Sequence, residues 1–189
     1  MTPSSLLRQA LLAALAYVAV LVESTAPAAL AWGPLSIRPL WIVLALAVAD
    51  RQGVAVVIWA ASLGFLGDCL HGESVLGVQL VMATLVVSLL PASWQDRPVT
   101  STGATSMICL LVTGGIDGFS PVLYAALAMF SSPEPMSLVE WVSSTWPPLL
   151  VTTAGNAVVT AALTLAGLAT LARVRRSITR LLLPAPLAH

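Results

Sequence analysis

Between Glu140 and Arg173 the sequence carries no charged residue, and further charge-free runs separate Arg8 from Glu23 and Arg97 from Asp117. Runs of this kind have nothing with which to face water. A soluble domain has about 25% charged residues, whereas this chain of 189 residues has 8% charged and 58% hydrophobic. Its mean hydropathy is +0.96. Lipid is the solvent that such a chain implies. The apolar runs exceed the roughly 9–11 residues of a barrel strand and show no period-two alternation, which predicts helices. The expected fold class is an all-α polytopic bundle of about six transmembrane helices, with no hydrophilic block large enough to fold apart in water.

The charges sum to zero, and every cation is an arginine; there is no lysine. Cys69 and Cys109 lie in apolar segments without metal-type spacing and read as buried free thiols. The N-terminus offers one arginine and then an apolar run, as a signal peptide does. That run continues to Ala26 and holds Glu23 where a cleavage region would lie, so a retained first helix is expected.

Ser4 or Ser5 caps a first span at 5–26, stopped by Pro27. An outer turn follows, with Trp32 at interfacial depth. The stretch from Pro39 to Leu70, about 48 Å long as one helix, overshoots a hydrocarbon core about 30 Å thick. Asp50-Arg51-Gln52-Gly53 falls inside it, and as part of one helix would place two charges in lipid at a cost of several kcal/mol. A tight turn there removes that cost and gives spans at 37–49 and 54–70. Further spans are expected at 75–90, 102–130 and 146–171. The fifth is interrupted by Gly114-Gly115-Ile116-Asp117-Gly118 and Pro121, where a kink or unwound turn is expected. A single bundle thus covers 1–172, and 173–189 forms a basic tail.

Six spans with the N-terminus inside place Arg8, Arg51, Arg97, Arg173, Arg175, Arg176 and Arg180 in the cytoplasm and only Arg38 outside, in accord with the positive-inside rule. A five-span alternative with the N-terminus outside leaves Asp50 and Arg51 in the membrane. Both place the tail in the cytoplasm. On a helix, Arg173, Arg176 and Arg180 oppose Val174, Ile178 and Leu181, the pattern of a short interfacial helix that meets anionic head groups. A docking site for an acidic cytoplasmic partner is the rival reading.

The third span ends in Ala60-x-x-x-Gly64-x-x-x-Asp68-x-x-x-Gly72. Steps of four align these residues, and three of them are small enough to admit another helix backbone. Asp68 on that stripe faces protein or water rather than lipid. The stripe serves either packing within the chain, with Asp68 bonded to backbone donors, or a partner or ligand surface. Arg38, at similar depth, is a possible ion-pair partner for Asp68. Asp117 is either an intramembrane polar site in a broken helix, as in transporters, or marks where the fifth span emerges. Glu23 reads as solvated, and Asn156 as making an ordinary interhelical hydrogen bond.

Enzymatic motifs do not occur: there is no phosphate loop, and Ser62 and Ser88 have no evident base. His71 beside Asp68 and Glu73 makes only a weak metal pattern. No catalytic residue, cofactor, metal or nucleic acid is expected.

The stretch IRPLWIVLALAVADRQGVAVVIWAASLGFLGDCLHGESVLGVQL, Ile37 to Leu80, resembles the MreD family of bacterial rod-shape determining proteins. The matching positions are Arg38-Pro39 opening a short second span, the charged turn Asp50–Gly53, Gly64, Asp68, Gly72, and Leu76-Gly77 at the head of the fourth span. Leu40 stands where the family often has an acidic or amide residue, and the Asp68-to-Leu76 turn is one residue longer. The resemblance implies a non-enzymatic scaffold of the cell-elongation (lateral peptidoglycan synthesis) complex in the bacterial inner membrane, with both termini cytoplasmic. It would bind MreC, and through it link the MreB filament to RodA and its penicillin-binding transpeptidase. The family's bundle is also similar to substrate-binding subunits of energy-coupling-factor vitamin importers. That supplies the alternative of a small-ligand binding subunit using Asp68, Asp117 and Glu23.

Overall fold

Pro39-Leu-Trp-Ile-Val-Leu-Ala-Leu-Ala-Val-Ala-Asp50 is apolar on every side until its last residue, and a helix of that kind belongs inside a protein rather than on its surface. The computed structural model, which describes residues 3–32, 35–50, 54–71, 76–90, 102–131 and 138–182, places it there. Leu40, Leu44, Ala45, Ala47 and Val48 are fully buried, and Trp41 and Val43 are nearly so. The helices are α1 (Pro3–Thr25), a single turn α2 (Pro27–Leu30), α3 (Pro39–Asp50), α4 (Val54–His71), α5 (Val78–Leu89), α6 (Thr102–Ser131) and α7 (Leu138–Leu182). Helix α3 packs against α1, α4, α6 and α7, while α5 packs on α4 and α6.

Successive long helices alternate in direction. Arg8 near the start of α1 pairs with Asp50 at the end of α3, at 3.2 Å. At the opposite end Glu23 meets the backbone of Leu40. Contacts of Gly64 and Asp68 with Gln79 and Leu80 make α4 and α5 antiparallel. Ser106 with Ala161 and Asp117 with Thr153 do the same for α6 and α7. The molecule therefore has two poles, one marked by Arg8 and Asp50 and the other by Glu23, Arg38 and Asp68.

The surface is apolar and part of the interior is polar. Leu7, Val54, Leu89 and Val151 are each more than 70% exposed, whereas Thr105, Thr113, Asn156, Thr160 and Thr164 are buried. Water would reverse that distribution; lipid permits it. Three helical segments, Leu6–Thr25, Thr102–Leu127 and Pro148–Arg175, are long and apolar enough to cross a membrane. Pro39–Asp50, Val54–Leu70 and Val78–Leu89 are apolar but shorter.

Several boundaries differ from expectation. The segment between α2 and α3 contains an antiparallel pair, β1 (Ala31–Trp32) and β2 (Leu35–Ser36). The fourth helix starts at Val78 rather than at 75, because Gly77 has φ 101° and is its N-cap. No unwound turn interrupts α6, although Pro121 lies inside it. Proline cannot donate to the carbonyl four residues back, here that of Asp117, and the Thr153 hydroxyl of α7 donates to that oxygen instead, at 3.4 Å. Helix α7 starts at Leu138 instead of 146 and runs unbroken to Leu182. The basic tail through Arg180 thus continues the last helix and is not a separate interfacial one. Of the cysteines, Cys109 is buried and Cys69 is exposed; both are free.

Candidate functional site

The polar residues of the bundle gather at the Glu23 pole, where two short helices begin. The first amides of any helix lack partners within it, and the helix dipole makes that end positive. The Arg38 carbonyl, ahead of Pro39, accepts from Trp41 N and Ile42 N, but its side chain has no oxygen for Leu40 N. Glu23 of α1 supplies one: its Oε1 accepts from Leu40 N at 3.0 Å. The solvated role expected for Glu23 is replaced by this bond. At α5 the N-cap is Gly77, which has no side chain, and the cap comes from Asp68 of α4. Its Oδ1 accepts from Gln79 N at 2.9 Å and its Oδ2 from Leu80 N at 3.1 Å. Each carboxylate sits near the C-terminal end of its own helix, an unfavourable place for negative charge, and is stabilised by the N-terminus of another. Asp68 is only 3% exposed, so it presents no surface to a partner.

Asp68 reaches α5 because Gly64 lets the helices touch. A methyl group on Gly64 would come within 2.6 Å of Leu80 Cα and 2.7 Å of the Gln79 carbonyl oxygen. Ala60, one turn earlier, is fully buried. The stripe Ala60, Gly64 and Asp68 is thus occupied by α5 of the same chain; Gly72 lies outside the described residues.

The expected Arg38–Asp68 ion pair does not form. Arg38 Nε lies 3.7 Å from Asp117 Oδ2, and Trp41 Nε1 donates to Asp117 Oδ1 at 3.1 Å. Helix α6 stays helical through its glycines and brings the Asp117 carboxylate against the first turn of α3, so Arg38 pairs with Asp117 in place of Asp68. Tyr124, two turns further along α6, extends its hydroxyl to Asp68 Oδ1 at 3.5 Å. Asn156 accepts from Ser36 N at 2.7 Å and so holds the β-hairpin on α7, rather than bonding to another helix.

At the opposite pole, Arg173 and Arg175 are exposed. The side chains of Arg176 and Arg180 lie outside the described residues. Trp41, Gln79, Ser120, Tyr124 and Thr153 were not legible as site residues: aromatic, amide and hydroxyl groups in apolar helices are ordinary until a topology brings carboxylates beside them.

Chemically, this cluster ties helix ends together. Among the described residues no group of three or more His, Cys, Asp or Glu converges as a metal site would require. A groove of about 310 Å³ between α6 and α7, bordered by Leu111, Gly114, Leu150, Ala154 and Val158, has no titratable group in its wall. No protein-family model, curated protein or solved structure matches the chain.

Proposed function

We propose that the chain is a non-enzymatic scaffold of the bacterial cell-elongation complex, lying in the inner membrane and binding MreC. Through MreC it would connect the MreB filament with RodA and the penicillin-binding transpeptidase. The observation that carries this reading is the α4–α5 joint. Gly64 and Asp68, two of the positions on which the resemblance to the MreD family rests, make a backbone contact and cap the next helix. Residues shared with the family are therefore ones that set the shape of this bundle. At the Glu23 pole, Glu23 and Asp68 are committed to helix ends and Asp117 to the side chains of Arg38 and Trp41, which favours a scaffold over a site for chemistry.

In this reading α1, α3, α4, α5, α6 and α7 all cross the membrane. Helix α3 has 12 residues, about 18 Å against a core of about 30 Å. Its flanks are α1, α4, α6 and α7, so its ends meet protein, and local bilayer thinning accommodates the remainder. The Arg8 pole faces the cytoplasm together with both termini. There Arg173 and Arg175 meet anionic head groups, each contributing about 1 kcal/mol.

The test is copurification in mild detergent from cells carrying the tagged full chain. MreC is expected in the eluate, and should be lost with Gly64→Leu. An eluate holding an ATPase–transmembrane module or a bound vitamin, without MreC, would replace this reading with the importer subunit.

A further inference from the structure

Helices α6 and α7 each contain a segment long and apolar enough to cross a membrane, Thr102–Leu127 and Pro148–Arg175, and the groove of about 310 Å³ lies between these two segments. Leu150, Ala154 and Val158 follow one another at steps of four, a single row along α7, and border the groove together with Leu111 and Gly114 of α6. The row begins two residues inside Pro148, where the membrane-length segment starts at the Glu23 pole. It ends about 12 Å deeper, at about 1.5 Å per residue. Half of a hydrocarbon core about 30 Å thick is about 15 Å. The groove therefore covers most of the depth of one leaflet and runs parallel to the lipid chains in it.

Two further observations narrow the occupant. The wall offers nothing to a polar ligand. Of the residues that border the groove only Thr153 has a polar side chain, and it is 9% exposed with its hydroxyl donated to the Asp117 carbonyl. Gly114, in turn, is not demanded by the joint between α6 and α7. A methyl group there would stand 3.5 Å from Ala157 Cβ, an ordinary contact, whereas one on Gly115 would meet Val86 of α5 at 2.9 Å. The missing side chain at 114 deepens the groove without being needed for the helices to pack.

We propose that this groove holds one hydrocarbon chain of a phospholipid from the leaflet at the Glu23 pole. Size separates a chain from a partner helix. A helix about 10 Å across occupies roughly 900 Å³ over the same length, several times the space present. It would rest on the exposed side chains of Leu111, Leu150 and Val158, and the floor beneath would forfeit its dispersion contacts. A single chain reaches the floor at Gly114 and Ala157. The inference rests on α6 and α7 alone and is independent of which protein the chain binds.

Photolabelling tests this on the purified full chain in phosphatidylcholine vesicles that carry a small share of phosphatidylcholine with a diazirine at the middle of one acyl chain. Adducts are expected to concentrate at residues 110–115 and 150–158, above the level at other lipid-facing positions such as Leu163 and Leu165. Ala154→Leu fills the groove from an exposed position. It should lower the groove adducts at least about tenfold, a loss of about 1.4 kcal/mol. Val151→Leu, at a position 72% exposed and outside the groove, should leave them unchanged. Val158→Phe closes the deep end and serves if Ala154→Leu does not fold. Adducts spread evenly over the lipid-facing residues would overturn the site, as would groove adducts undiminished in both filling variants. Groove labelling in vesicles that disappears in native membranes would overturn it as well, and would give the groove to a partner helix.

Discussion

Replacing Gly64 with leucine is expected to destabilise the chain by at least about 3 kcal/mol, the upper range for overpacked cores, whereas Val57→Leu on another side of α4 should cost less than about 1 kcal/mol. The asymmetry follows from what each side chain meets. At Gly64 the first added carbon already lies 2.6 Å from Leu80 Cα and 2.9 Å from Leu80 N. Those are backbone atoms of a helix that cannot rotate out of the way, so α4 and α5 must separate and Asp68 must leave the amides it caps. Val57 is half-buried and already carries a branched side chain, so leucine adds a single methylene there. Thermal unfolding in detergent and the yield of folded protein measure the difference. Equal, small effects of the two substitutions would mean that the stripe faces lipid and that the α4–α5 joint is wrongly placed.

Asp68→Ala should remove about 2–4 kcal/mol. Two amides, Gln79 N and Leu80 N, lose their acceptor in a site from which water is excluded, and a buried donor left without a partner costs about 1–3 kcal/mol. Loss of the negative charge at the start of α5 adds a smaller amount. Asp68→Asn keeps one carbonyl oxygen and should lose roughly half as much. Hydrogen exchange separates this from a general loss of packing: the amides of Gln79 and Leu80 should exchange faster in Asp68→Ala, while those in the middle of α7 stay protected. Unchanged exchange at those two amides would show that Asp68 is not the cap.

Much of this arrangement was legible in the residues because lipid leaves a chain few options. The charge-free runs implied helices, and the small spacing of Ala60, Gly64 and Asp68 implied that a backbone approaches there. What the residues did not show was which backbone. Steps of four reveal a face but not its neighbour, so the stripe was also compatible with a partner, and Asp68 with a surface site. Pairing by depth along the sequence gave Asp68 to Arg38; the register of α6 gave Arg38 to Asp117 instead. The glycines around Asp117 suggested an unwound turn, yet Thr153 takes up the carbonyl that Pro121 leaves without a donor, and that rescue comes from a residue far away in sequence. The start of α7 at Leu138 was not legible because Glu140 reads as part of a polar loop, while the helix runs through it.

In the proposed arrangement the short helices α3 and α4 cross the membrane, with the Arg8 pole inside and the Glu23 pole outside. Reporter fusions in living cells, placed at residue 3, residue 33 and residue 52, test it most directly. A cytoplasmic signal is expected at 3 and 52 and an external one at 33, since Arg8 and Asp50 share a pole and the β-hairpin sits at the other. An external signal at residue 3 would contradict it and establish the five-span topology in its place.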